Sequence, residues 1–339
     1  MTPKKILTLL VLLICGTTIF AQRNDRAASK SDVKYEVMYD EPDELYKMWI
    51  HFIPMYADFF QTNFNVGYGI QANYYLKNKF DFRLQYRKAY TKSTDFSRGI
   101  GEKSQTTDNK LAIFQYVELG ATYHIKDEAT AGTARMVLTS KRYSDDKWAA
   151  TVPEHILIPS KVRKIYGVRA GGYYWASATN LGNVASQQGV ALTSATNDTL
   201  NLRAEKIFSN LRSTGFYLGG SLARIRNVAI KPQKYDPHAN DMIFTAYADV
   251  LIAPFTTLDA IKQEQAVYDV SAIKGKNLGF RAGIEGMYNR AFAWGWGGEI
   301  GYRPSLQGRS FYINARVSFT FATSFDQKRT STQIVKPSE

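Results

Sequence analysis

Residues 311–321 read Phe311-Tyr312-Ile313-Asn314-Ala315-Arg316-Val317-Ser318-Phe319-Thr320-Phe321. One face carries Phe311, Ile313, Ala315, Val317, Phe319 and Phe321, and the other carries Tyr312, Asn314, Arg316, Ser318 and Thr320. Successive side chains of a strand point to opposite faces, so this alternation predicts a strand that is oily on one side and polar on the other. Its length is about what a tilted strand needs to cross a bilayer. The preceding sequence repeats the pattern. Leu278, Phe280, Ala282 and Ile284 oppose Arg281, Gly283 and Glu285; after Asn289-Arg290, Trp294, Trp296, Ile300 and Tyr302 oppose Gly295, Gly297, Glu299 and Arg303.

The same grammar runs through most of the chain. Val66 to Leu76 and Phe80 to Arg87 predict a hairpin turning at Lys77-Asn78-Lys79. Val117 to Ile125, Tyr166 to Tyr174, Phe216 to Val228 and Met242 to Ile252 predict further strands, and Trp49 to Tyr56 is the candidate first strand. Tyr74, Phe80, Tyr123, Tyr288, Trp294 and Phe321 stand near strand ends, where interfacial aromatic girdles sit. The expected architecture is an all-β, antiparallel up-and-down transmembrane barrel over residues 49–321, with ten to twelve strands and fourteen left open. Closure alone removes the unpaired strand edges that hydrocarbon penalises. A lipocalin-like barrel or soluble sandwich is the competing architecture, but sandwich strands are shorter, about five or six residues.

Composition agrees. The 339 residues include 22 Tyr, 19 Phe and 24 Gly, with 22% charged residues, so the chain is not of the disordered class. Beyond the N-terminus no apolar run reaches about 18 residues, which leaves no helical membrane span. The net charge of +13 comes without a Lys/Arg block or aromatic-basic motif, so no nucleic-acid partner is implied.

Residues 1–21 carry Lys4 and Lys5, an apolar stretch from Ile6 to Ile14, and the small residue Ala21, the pattern of a secretory signal. Cys15, the one cysteine, lies inside it behind Ile14 rather than behind a small residue, which disfavours lipidation. The chain after Ala21 has no cysteine for disulfides, thiol catalysis or metal ligation, and its balance is +11. Residues 22–48 form a polar, acidic arm whose Asp40, Glu41, Asp43 and Glu44 are a solvated lead-in or a docking site for a basic partner. Residues 322–339 follow the last strand as an expected periplasmic tail.

The turns at Lys77–Lys79 and Asn289–Ala291 are short, as periplasmic turns of single-chain barrels are. The strand count hinges on Lys126 to Lys161. Arg135–Tyr143 and Trp148–Pro153 around Ser144-Asp145-Asp146-Lys147 give twelve strands if they cross and ten if they do not; twelve is slightly favoured, although Pro153 and Pro159 interrupt the pattern. Ser177 to about Arg212 and Pro254 to Lys274 are expected outer loops, the second with spacing for a short helix at Leu258, Ile261 and Ala266.

With these features the chain resembles the outer-membrane β-barrel proteins of the Bacteroidota. The signal ending Ile19-Phe20-Ala21-Gln22 is similar to their cleavage pattern, and Arg316-Val317-Ser318-Phe319-Thr320-Phe321 is similar to their closing strands. The resemblance implies residence in the outer membrane with lipid as the surrounding medium and envelope proteins as partners. The extension beyond Phe321 departs from barrels that stop at a terminal aromatic. Asn197-Asp198-Thr199-Leu200 contains Asp-Thr-Leu, which resembles the O-glycosylation signal of that group.

Chemistry-bearing residues are sparse. His51, His124, His155 and His238 are separated, and local spacing builds neither an omptin-like nor a Ser/His constellation. No metal-ligand spacing and no cofactor site appear, and no catalytic residue is assigned. The polar strand faces place Arg83, Arg87, Glu118, Arg169, Arg281, Glu285, Glu299 and Arg316, with Asp81, in the lumen beside Gly67, Gly69, Gly120, Gly171, Gly283, Gly295 and Gly297. This lumen is either packed and salt-bridged or an open pore with slight anion preference. The functional expectation is therefore a non-enzymatic barrel serving as scaffold or subunit of a secretion or surface-assembly complex. The alternative is a narrow porin for small, preferentially anionic solutes, and a barrel enzyme comes last.

Overall fold

The computed structural model describes residues 33–76, 79–144, 147–194, 199–201, 206–233 and 235–323. Residues 1–21, most of the tail and Asn197-Asp198 lie outside these, so the signal, tail and glycosylation readings do too. Ten strands close a barrel: β1 (Met48–Phe60), β2 (Asn63–Leu76), β3 (Phe80–Ala89), β4 (Gln115–Ser144), β5 (Lys147–Asn180), β6 (Phe208–Ile225), β7 (Met242–Leu258), β8 (Leu278–Tyr288), β9 (Phe292–Tyr302) and β10 (Phe311–Thr323). All neighbours are antiparallel, and β10 pairs with β1, from Tyr312 against Phe60 to Thr323 against Met48.

Every strand pairs with its sequence neighbours, so two ends are defined. The terminal end holds the start of β1, the end of β10, the connection from β2 to β3 and the turn at 289–291. The loop end holds the connections that follow β1, β3, β5, β7 and β9. The outer wall is apolar: Ile70, Leu84, Leu119, Leu218, Val250, Ile284, Ile300 and Ile313 are exposed around its middle. Aromatics ring both ends. Phe80 packs on Tyr123 with ring centroids 5.1 Å apart and Tyr288 on Trp294 at 5.9 Å at the terminal end; Phe59 meets Phe64 at 4.3 Å and Tyr68 meets Tyr90 at 5.5 Å at the loop end. The inward and outward faces match the sequence alternation, as in β4, where Leu119 is exposed and Glu118 is fully buried.

The Arg135–Tyr143 and Trp148–Pro153 segments do pair, in register from Tyr143 against Trp148, but they continue β4 and β5 past the terminal end instead of adding a crossing. The count is therefore ten, against the twelve favoured from sequence. β3 pairs with β4 only as far as Tyr123, and β6 with β5 only from Arg163 onward, so the hairpin outruns the barrel. Pro153 and Pro159 fit because they share parity with Lys161, whose N–H leaves the ladder and donates to the Asp40 carboxylate at 2.9 Å. A residue whose N–H would point off the ladder can be proline without losing a bond.

One face of the hairpin extension buries Ala134, Met136, Leu138, Ile156 and Ile158 against Val228 and Ile230. Those two lie in a three-stranded sheet, Tyr35–Asp40, Val228–Pro232 and His238–Asn240, with Tyr35–Asp40 at its edge. The result is a two-layered β-subdomain beneath the barrel. The acidic arm, read as a solvated lead-in, thus contributes a strand.

Two loop-end expectations need correction. The Leu258–Ala266 segment is not helical: β7 continues to Leu258 past an irregularity between Ile252 and Phe255, and Ile261–Gln263 pairs with Ala266–Tyr268 around Glu264, whose φ is 51°. Ile261 and Tyr268 are buried while Val267 is exposed, a two-residue period that the helical spacing obscured. The expected loop from Ser177 is shorter, because β5 runs to Asn180. There α2 (Leu181–Gln188) begins, capped by the Asn180 side chain accepting from Asn183 N and ended by Gly189 at φ 65°. An earlier helix, α1 (Phe96–Ser104), had no counterpart in the sequence reading.

Candidate functional site

The lumen is occupied by side chains. Glycines on the inward faces make the space: a Cβ on Gly120 would stand 1.9 Å from the Tyr217 hydroxyl, and one on Gly283 would stand 2.4 Å from the Tyr247 ring. On Gly297 it would meet the Arg316 guanidinium at 2.8 Å. Each glycine is the floor beneath a long side chain from another part of the wall.

Across that space the charged candidates converge. Arg281 donates to Glu118 at 2.6 and 2.9 Å and to Asp249 at 2.7 Å, and stands 3.5 Å from Glu299. Arg169 stands 3.6 Å from Asp249 and 3.9 Å from Glu118. Arg87 lies 3.6 Å from both Asp58 and Glu299, and Arg303 donates to Asp58 at 2.9 Å. Tyrosines separate the charges: Arg87 stacks 4.3 Å from the Tyr116 ring centroid, Arg169 3.9 Å from Tyr247, Arg281 4.4 Å from Tyr217 and Arg303 3.9 Å from Tyr312. Nearer the terminal end, Glu285 pairs with Arg83 and lies 3.1 Å from Arg316. Those three form a cluster on the terminal-end side, and the other five lumen candidates, Arg87, Glu118, Arg169, Arg281 and Glu299, join one band with Arg303. Asp58, Asp249 and the tyrosines complete it; Asp249 alternates with Ala248 and Val250 in β7, so period two could have found it.

Above the band an apolar plug seals the loop end. Tyr56, Phe60, Phe114, Trp175, Leu181, Leu192, Ile207, Leu211, Ile261, Tyr268 and Leu306 share one buried cluster drawn from strands and loops. Asp95, just ahead of α1, ties it together by accepting from Asn63 Nδ2 at 2.6 Å and Phe114 N at 2.6 Å. Burial raises the Asp95 carboxyl above its ordinary range, against the pull of those hydrogen bonds.

Below the band lies a cavity of about 120 Å³ lined by His51, Gln71, Asn73, Arg83, Glu285 and Arg316 on one side and by Leu45, Trp49, Ile165, Ile225, Ile243 and Met287 on the other. The arm forms its floor. Glu41 N donates to Asn227 O at 3.0 Å, Asn289 Nδ2 donates to Glu44 O at 2.8 Å, and Asp43 pairs with Arg163 at 3.3 Å, which holds Leu45 in the mouth. The docking candidates Asp40, Glu41, Asp43 and Glu44 therefore meet Lys161, Asn227, Arg163 and Asn289 of the same chain.

The histidines stay apart. His51 bonds Thr320 Oγ1 at 2.9 Å and Asn73 at 3.3 Å inside the barrel, while His124 meets Asp81 at 3.0 Å at its terminal end. His155 and His238 belong to the subdomain strands. Among the described residues no cluster of three His, Cys, Asp or Glu could hold a metal.

No family model matches the chain, and no curated protein matches it. Among solved structures it is similar to the CymD monoaromatic hydrocarbon channel at 7% identity, with 84% of this chain and 90% of that one covered and a TM-score of 0.26. The Pseudomonas (P. putida) toluene transporter TodX matches at 10% identity over 83% and 90% of the two chains, TM-score 0.26. The Ralstonia pickettii toluene transporter TbuX matches at 9% over 84% and 91%, TM-score 0.27. Likeness at this level carries no argument about what this chain moves or binds.

Proposed function

We propose that the chain is a non-enzymatic outer-membrane β-barrel whose lumen does not conduct, and that it serves as a scaffold or subunit of an envelope assembly through its terminal-end subdomain. The exposed apolar belt between two aromatic rings supports the membrane setting. The carrying observation for the role is the contrast between a band of buried, mutually paired Arg, Glu, Asp and Tyr across the bore and a projecting subdomain with exposed apolar residues. Tyr35, Val37 and Met38 on the edge strand and Val137 and Leu157 on the hairpin are all exposed. Edge strands with such residues are templates for pairing with another chain. In a barrel with periplasmic termini this surface faces the periplasm.

A narrow porin for small anions is the second reading, favoured by the guanidinium-rich cavity below the band. The apolar plug at the loop end counts against it. Photo-crosslinking amino acids at Val37 and Leu157 in the native envelope test the docking role. One discrete adduct from both positions, absent from the outward wall position Leu119, is the expected result. Uncrosslinked monomer at both subdomain positions overturns it.

A further inference from the structure

We infer that the cavity on the terminal-end side of the band is a binding chamber for a small amphipathic monocarboxylate. The band contains Arg87, Arg169, Arg281 and Arg303 against Asp58, Glu118, Asp249 and Glu299, four against four, with each carboxylate shared between two guanidiniums. The chamber wall has Arg83 and Arg316 against the single carboxylate of Glu285. Asp81 also lines it, but at the more exposed rim, where it engages His124. In the buried part of the wall guanidiniums therefore outnumber carboxylates by one, since the Asp81 side chain is 41% exposed. A buried cation without its counter-charge is costly, and an anion binding beside it removes that cost.

The unused donors point the same way. Arg316 is 5% exposed; its Nη1 makes no hydrogen bond among the described residues, and its Nη2 has only the 3.1 Å ion pair with Glu285. Arg83 Nε and Nη2 and Trp49 Nε1 also make no hydrogen bond among the described residues. All three residues line the chamber. Guanidinium donors in a fixed fork match a carboxylate, and this pairing is stronger than a neutral hydrogen bond. Opposite the two guanidiniums and beside Trp49, Leu45, Ile165, Ile225, Ile243 and Met287 offer an apolar wall that solvated inorganic anions would not use. About 120 Å³ suits a few heavy atoms beyond the carboxylate.

The inference does not depend on the docking role, since a scaffold or a porin could each hold such a ligand. Titration calorimetry on the folded protein in detergent tests it, using acetate, butyrate, hexanoate and benzoate, with inorganic phosphate and neutral butyramide as comparators. Saturable binding of at least one apolar monocarboxylate is expected, with butyramide at least about tenfold weaker, a difference of about 1.4 kcal/mol. Arg316→Gln should weaken it by a similar factor, and Leu45→Trp, which fills the chamber without touching its charge, should abolish it. Absence of saturation by every carboxylate up to about 10 mM, well above a millimolar dissociation constant, overturns the inference. So does equal binding of butyramide, binding of phosphate alone, or binding that survives Leu45→Trp.

Discussion

Replacing Arg281 with methionine tests whether the paired band holds the barrel together. The change removes the group that donates to Glu118 and Asp249 at 2.6–2.9 Å and stands 3.5 Å from Glu299. Four carboxylates then face only Arg87, Arg169 and Arg303, at separations of 2.9–3.9 Å. Removing one partner from a buried ion network strands the other charges and costs about 3–5 kcal/mol. Urea unfolding in lipid vesicles, followed by gel mobility and tryptophan fluorescence, reads the loss. The double variant Glu118→Gln, Arg281→Met removes one charge of each sign and leaves Arg87, Arg169 and Arg303 against Asp58, Asp249 and Glu299, with Arg169 still 3.6 Å from Asp249, so it should recover most of the stability lost in the single variant. The two changes are strongly non-additive on this reasoning. A loss below about 1 kcal/mol in Arg281→Met, the range of exposed pairs, would refute it, as would strict additivity.

Gly120→Ala should destabilise by about 1–3 kcal/mol because its Cβ meets the Tyr217 hydroxyl, and adding Tyr217→Phe should recover part of this by removing that oxygen; the same unfolding assay checks both. Leu119→Arg on the outer wall should cost about 2–4 kcal/mol in vesicles, whereas Tyr123→Arg nearer the terminal rim should cost about 0–1 kcal/mol. Equal costs would contradict the placement of the belt. For Asp95, beyond the membrane strands, the folded state holds the proton more tightly than the unfolded chain, whose reference is 3.8. Its contribution is fully present below that reference and is lost as pH rises through the folded pKa, so wild type should gain stability relative to Asp95→Asn as pH falls from about 7 toward 4. Parallel pH profiles would contradict this.

Much of this was legible because a barrel wall obeys a period of two. The alternation of β4, β8, β9 and β10 assigned Glu118, Arg281, Glu299 and Arg316 to the lumen one residue at a time. The pairings among them join strands far apart in sequence, as Arg281 and Glu118 do, and no local spacing encodes that. The hairpin of β4 and β5 kept its alternation after leaving the barrel, so pattern alone could not tell a membrane crossing from a projecting ladder. What distinguishes them is where β3 and β6 stop pairing. The loop-end plug was hidden for another reason: Leu181, Leu192, Ile207 and Ile261 are scattered through stretches of polar composition and meet only in three dimensions. The cavity was equally out of reach, since Leu45 comes from an arm whose acidity suggested exposure.

Planar-bilayer recording of the purified protein tests the central claim, that this membrane barrel is filled, most directly. A band of paired arginines and carboxylates under an apolar plug predicts insertion without steady ion current, in wild type and in Leu45→Ala alike. A stable, reproducible single-channel conductance from the wild-type protein would contradict it.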